Sequence, residues 1–288
     1  MKYALLLPPF GDCADARVLA ELAQDADQSG WDGFFIWDHV FMNWPDRVVD
    51  ITVALTAIAL ATERIRFGTL VTPLPRRRPW KLARETVTLD RLSGGRLTLG
   101  VGAGWWRTEY HQLGEETSVK ARAEMLDESL EILTGLWRGG TFNFQGNHYA
   151  IEDTFFEPTP IQSPRIPIWV AGLWPNKAPM RRAARWDGVY ALPSYEQEGD
   201  MTPAQVRKMV SYIQEHRVDD TPFDVIQKGE TPGDDMDRTV EIIEPYREAG
   251  ATWWLEVISA QRFGHQGEGP WSMEAIRERI LQGPPVLS

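Results

Sequence analysis

A short apolar run, FFIWDH, ends on Asp38 and His39. An imidazole titrates near neutrality, so His39 can donate a hydrogen bond to a bound molecule or exchange a proton with it. Asp38 can anchor the loop or orient its neighbour, although adjacent side chains on extended backbone point apart. The plain alternative is a histidine that only caps local backbone. A second candidate is GVGAGWWRTEY at 100–110. Gly102 and Gly104 permit close backbone approach, Trp105 and Trp106 can cover a ring system, and Arg107 can meet an anion. The competing reading is a tight loop with one packing Trp and one exposed Arg. GVGAG is not GxGxxG, so dinucleotide recognition by that device is unsupported.

A second anion site is conceivable in AGLWPNKAP at 171–179, where amides at a helix start could bind phosphate with Asn176, Lys177 or Arg181 beside them. An ordinary capped turn fits the same residues. The RRR run at 76–78 could attract an anionic tail, but a solvated loop is its simpler use. His111 and His148 are isolated and HxxxH is absent, so no metal site is expected. GxSxG is absent too, which argues against an ordinary α/β hydrolase. Glycoside hydrolysis would need Asp38 with Glu109 or Glu256 at a set separation, which spacing cannot provide. A noncatalytic binding barrel would carry the same glycines and aromatics.

The elements that must position these groups alternate along the chain. Short apolar strands are expected at 3–7, 34–37, 65–71, 96–102, 166–171, 188–192, 222–227 and 252–258. Helices are expected between them, among them 14–29 with Val18, Leu22 and Ala26 on one face, 49–62 with a Val53, Ala57, Leu60 stripe, and 122–137. The others fall at 178–185, 203–217, 235–249 and 272–281, with one more in WKLARETVTLDRLSGG, stopped by Gly94 and Gly95. FNFQGNHY within 141–160 reads as a hairpin outside this rhythm. Eight continuously apolar strands separated by helices imply an α/β fold, a (β/α)8 TIM barrel with a small excursion after strand four, spanning 1–288 as one domain. An open doubly wound sheet is the structural alternative. In a barrel, Phe10 after strand one, Asp38 and His39 after strand two, 72–79 after strand three and Gly102 to Arg107 after strand four converge on one mouth.

Composition narrows the partners. Thirty basic against 41 acidic side chains give a net charge of -11, which argues against nucleic acid or an anionic membrane surface. Cys13 is the only cysteine, and no apolar run approaches the roughly 20 residues of a membrane span. Pro8 and Pro9 break the first apolar run where a signal peptide would continue, so a cytoplasmic protein acting on a small molecule is expected. The 13 Trp are numerous for this length, and their positions must decide between core, ligand pocket and subunit interface.

GWDGFFIWDHV, RIRFGTLVTPLPRRRPWKLARETVTLDRLSGGR, LTLGVGAGWWRTEY and IPIWVAGLWPNKAPMRRAARWDGV, in that order, resemble the bacterial luciferase-like flavin-dependent oxidoreductases. The resemblance implies an enzyme with FMN, or in a related branch an 8-hydroxy-5-deazaflavin coenzyme, at the C-terminal mouth of the barrel, in a chain that is often a homodimer. His39 matches a position that shapes the flavin and substrate site. Thr69, Val71 and Thr72 match a cofactor-lining segment that carries a non-proline cis peptide in some members. Gly102, Gly104 and Trp105 match the next part of the pocket wall. Gly172, Trp174 and Asn176 match part of the phosphate side, although AGLWPN departs from the commoner paired-glycine form. The resemblance points first to an FMN monooxygenase using reduced flavin, O2 and an organic substrate, fed by a separate flavin reductase. Its alternative is deazaflavin-dependent hydride transfer without oxygen incorporation.

Overall fold

The structure, a computed structural model, describes residues 1–42, 46–218, 220–265, 267 and 269–285. Eight parallel strands close into a barrel: β1 (Lys2–Leu7), β2 (Gly33–Ile36), β3 (Arg66–Pro73), β4 (Leu97–Gly102), β7 (Ile168–Trp174), β8 (Gly188–Pro193), β9 (Asp224–Gly229) and β10 (Trp253–Val257). β10 pairs back onto β1, with Lys2 opposite Trp253 and Leu6 opposite Val257. The helices that return the chain are α1 (Ala16–Gln28), α2 (Ile51–Ala61), α3 (Pro79–Leu92), α5 (Val119–Trp137), α6 (Lys177–Ala183), α7 (Pro203–Gln214), α8 (Met236–Glu248) and α9 (Met273–Leu281). A short extra helix, α4 (Arg107–Gln112), lies between β4 and α5. No helix among the described residues is long and apolar enough to cross a membrane.

Alternation along each strand separates two apolar layers. Ala4, Leu6, Phe35, Leu70, Trp169, Tyr190, Ile226, Trp253 and Leu255 fill the barrel interior. Phe35, Trp169 and Trp253 form its aromatic centre, with ring centroids 5.0 Å apart for Phe35 and Trp169 and 5.1 Å for the two indoles. Strand residues of the opposite parity, such as Leu5, Leu7, Phe34, Ile36, Phe67 and Leu99, pack outward under the helices. Trp137 and Trp254 belong to that outer layer, and Trp186 is only partly buried against it.

Local chemistry sets the helix ends. Asp15, Asp50, Ser118, Thr202 and Asp235 cap their helices through side-chain acceptors. Gly94 and Gly95 adopt φ +68° and +85° behind α3, conformations that suit a residue without Cβ. The expected stripe on α2 lies on the wrong face: Val53 and Leu60 are exposed, and Ile51, Ala54, Leu55, Ile58 and Ala59 are buried. That helix is apolar almost all round, so periodicity could not choose its inner face. Two strands also run later than expected, β7 to Trp174 and β9 over Asp224–Gly229.

The excursion is an antiparallel hairpin of β5 (Gly140–Gln145) and β6 (Ala150–Phe156). It packs on the outside of the barrel. Phe142 covers Gly135 of α5, where a Cβ would overlap the ring, and the Arg84 guanidinium lies 3.9 Å from the centre of the Phe156 ring. The Glu128 carboxylate of α5 accepts the backbone amides of Asn147, His148 and Tyr149 at the turn.

Candidate functional site

The end of β2 carries the densest chemistry. Trp37 packs against the interior cluster, Asp38 is 3% exposed, and His39 stands at the rim. The Asp38 carboxylate is fully engaged: Arg76 Nη2 donates to Oδ1 at 2.8 Å, and Arg77 Nη2 reaches both oxygens at 2.9 and 2.8 Å. Arg76 also donates to the Asp38 carbonyl at 3.0 Å. Both arginines follow β3, in and just beyond a single 3-10 turn, Leu74–Arg76, so the RRR run is structural at its first two positions. The Arg76 side chain is 3% exposed, and only Arg78 is an exposed residue as the solvated-loop reading expected of all three.

Glu109 on α4 is the histidine's partner. Its Oε2 lies 3.2 Å from His39 Nδ1 and 2.6 Å from Arg76 Nη1, and its Oε1 accepts the Val40 amide at 2.8 Å. Burial pushes this carboxyl up, but the His39 hydrogen bond, the Arg76 charge and the Val40 amide together hold it below its ordinary value. An ionised carboxylate only accepts, so in the neutral imidazole Nδ1 carries the proton. Nε2 is then the nitrogen left for a ligand. The ring is framed by Trp106, with centroids 4.3 Å apart, and by Trp37, edge-on at 6.3 Å.

Beside this group the barrel mouth has an apolar floor. Trp37, Val71, Ala171 and Leu192 cap the interior cluster from four strands and are only partly buried. Gly102 sits between two of them: a Cβ there would stand 3.0 Å from Val71 Cγ2 and 3.7 Å from Ala171 Cβ. Having none, it adds no side chain between Val71 and Ala171. Gly104, at φ +88°, turns the chain so tightly that a Cβ would run into the Tyr110 hydroxyl. Phe10 adds a wall, 5.7 Å from the Trp37 ring and 5.8 Å from Trp271. Trp105 is 44% exposed and meets Tyr195 from the loop after β8, centroids 4.5 Å apart.

The other expected site residues are placed less directly. The Leu70–Val71 peptide is cis, and the β3–β4 register shifts between Thr69 and Thr72. Val71 faces the mouth, but the Thr69 and Thr72 hydroxyls bond each other at 2.7 Å and border a small buried space against α2 and α3 with Leu55 and Leu82. Arg107 is exposed at the first position of α4. Gly172 is required by packing, since a Cβ would overlap Pro179. Trp174 is 7% exposed and turned toward the helices, with Lys177 Nζ 4.1 Å from its ring and 4.0 Å from that of Tyr212. Asn176 is exposed and caps α6 without a side-chain hydrogen bond. Arg181 donates to the Tyr212 hydroxyl at 3.0 Å. The β7–α6 turn therefore spends both of its expected cations, Lys177 and Arg181, on local aromatic partners. Glu256, weighed above as a second carboxylate for Asp38, is fully buried on the outer side of β10 against Arg262, Thr231 and Trp254.

In the sequence Glu109 stands only as a candidate glycosidase carboxylate with Asp38, and Arg76 only within an RRR run that could attract an anionic tail; neither is expected as a partner of His39. Nothing in their spacing links Arg76, 38 residues from Asp38, or Glu109, 70 residues from His39, to that strand end; only the closure of the barrel and the unexpected α4 turn bring them together.

The oxygenase component of the flavin-dependent trigonelline monooxygenase of Acinetobacter baylyi is 30% identical over 161 residues, covering 55% of this chain and 43% of that protein. The F420-dependent glucose-6-phosphate dehydrogenase of Amycolatopsis mediterranei is 34% identical over 160 residues, 54% of this chain and 47% of that protein. The chain thus spans about half the length of these curated relatives. The crystal structure of a monooxygenase from Streptomyces bottropensis shares the fold, with a TM-score of 0.75 at 20% identity over 97% of this chain and 96% of the other. The family model for luciferase-like monooxygenases matches residues 3–280. The chain therefore belongs to the luciferase-like monooxygenase family.

Proposed function

We propose that this protein transfers hydride between a deazaflavin coenzyme and the carbon of a small alcohol or carbonyl compound. The observation that carries the reading is the His39–Glu109 pair beside the partly buried apolar residues that cap the barrel interior. Oxidising a CH–OH group requires the hydroxyl proton to leave as the hydride does, and a base oriented by an ionised carboxylate serves that need. A bound deazaflavin would supply the hydride acceptor.

The residues present fit such a ring. Val71, Ala171 and the bare Gly102 offer it an apolar seat, and Trp37 and Phe10 a wall. His39 Nε2 would take the substrate proton while Nδ1 keeps its bond to Glu109, whose negative charge stabilises the imidazolium that forms. Trp106 and Trp37 shield the imidazole from bulk water, leaving 15% of it exposed. Asp38 has no free oxygen for proton transfer and fixes the strand end through Arg76 and Arg77. Arg107, exposed beside the mouth, is the cation we assign to the anionic tail of the cofactor.

A second reading, FMN-dependent oxygenation with a separate reductase, is favoured by the same aromatic, water-excluding mouth and by the similarity to the trigonelline monooxygenase component. Reconstitution separates the two. Binding of deazaflavin, its bleaching by a secondary alcohol under anaerobic conditions and no O2 uptake are expected. Selective FMN binding with reductase-dependent oxygen incorporation would overturn the hydride-transfer assignment.

A further inference from the structure

We infer that Arg76 is a positioning residue whose charge neutralises Glu109, so that the carboxylate orients His39 without locking it as a permanent imidazolium. The geometry is a chain of alternating charge. Arg77 and Arg76 hold Asp38, Arg76 also meets Glu109, and Glu109 meets His39. The side chains of Asp38, Arg76 and Glu109 are 1%, 3% and 2% exposed, so solvent screens these contacts little. Two carboxylates face two guanidiniums, and the set is neutral with His39 uncharged. A buried Glu109 without Arg76 would leave the imidazole beside an uncompensated anion, a pairing that favours the protonated ring.

The contact details fit an electrostatic part for Arg76 rather than a purely structural one. Its Nη2 is anchored by two hydrogen bonds to Asp38. Its Nη1 lies 2.6 Å from Glu109 Oε2 without hydrogen-bond alignment, and no other atom takes that N–H. Glu109 Oε2 is thus shared between a fixed positive charge and the imidazole, and it is His39 Nδ1 that holds the directional bond. Among the described residues, the ion-pair chain that reaches His39 runs through Glu109 from α4, Arg76 and Arg77 from the loop after β3, and Asp38 from its own strand end, with exposed Arg107 following Trp106 at the start of α4; Trp37 and Trp106 supply the uncharged walls. Arg76 places a fixed positive charge against the carboxylate that orients the imidazole.

This deepens the assignment of His39 as the proton-moving group, and it is testable without any cofactor or substrate. The imidazole of His39 is followed by NMR titration of the whole cofactor-free chain labelled with 15N-histidine, its signal assigned by loss in His39→Gln. Arg76→Gln is expected to raise the His39 midpoint by about one pH unit, and Arg76→Lys, which keeps the charge, to restore most of the shift. Asp38→Asn leaves the arginines in excess and is expected to move the midpoint down, which supplies an independent reading if Arg76→Gln does not fold. Midpoints that stay within about 0.2 unit of the unmodified chain in Arg76→Gln, or in Asp38→Asn where that variant alone folds, overturn the inference. So does an equal upward shift in Arg76→Lys and Arg76→Gln. Turnover of the reconstituted enzyme reports separately on the hydride-transfer reading, so the two can fail independently.

Discussion

Replacing Glu109 by Gln removes one charge and almost no volume, and the surroundings give that change a definite sign. In the native protein Oε1 accepts the Val40 amide at 2.8 Å, while Oε2 faces Arg76 Nη1 at 2.6 Å and His39 Nδ1 at 3.2 Å. All three neighbours are donors. A carboxamide has one accepting atom, so whichever way it is flipped its NH2 points at an N–H. The only relief is for His39 to surrender its Nδ1 proton and become the other tautomer. That places a hydrogen on Nε2, the wrong form for a base, and a loss of roughly 10²- to 10⁴-fold in kcat/KM is expected.

Stability should fall as well, because a 1% exposed carboxylate leaves Arg76 partly unpaired. Breaking a buried ion pair costs about 3 kcal/mol, a drop of roughly 6–12 °C in Tm for a chain of this size. The pH dependence follows from the direction of the shift. Glu109 titrates below its ordinary value in the folded protein, so its contribution is complete above the unfolded carboxyl value of about 4.3 and is lost as pH falls through the lower folded value. Urea unfolding of both proteins at neutral pH and at progressively acid pH measures the gap directly, and the other carboxylates cancel in the difference. A gap below about 0.5 kcal/mol at neutral pH, or one that stays constant into acid, would refute the pairing described for Glu109.

Two further outcomes are expected. Gly102→Val should weaken binding of the reconstituted cofactor by about tenfold or more, since the new side chain occupies the space between Val71 and Ala171, and the loss should show in fluorescence titration with folding cooperativity retained; unchanged affinity would place the ring elsewhere. Cys13 is fully buried, and burial pushes its thiol up to about 12, so iodoacetamide at pH 8 should leave the native chain unlabelled by mass spectrometry and modify it fully after denaturation.

The barrel was legible because its strands are buried on both faces and read as short continuous apolar runs, while helices between them carry their own caps and glycine stops. What misled periodicity was uniformity: α2 is apolar on both sides, so Val53 and Leu60 gave no hint that they face solvent. The role of each aromatic is set by the tertiary structure. Trp253, Trp254 and Trp137 are buried, and Trp174, matched to the phosphate side of the site, packs under α6 and α7 because the parity of β7 turns it outward.

The sequence by itself determined the order of elements, the gathering of strand ends at one mouth and the candidacy of His39, Gly102 and Phe10, since each of these is local or follows from strand order. Tertiary structure decided which groups share charge. Arg76 looked like one of three solvated arginines, and Glu109 only like a second carboxylate for Asp38, yet the two meet beside the Asp38 carboxylate and the His39 imidazole at the end of β2. Electrostatic coupling depends on distance and on exclusion of water, and neither is written in spacing along a chain.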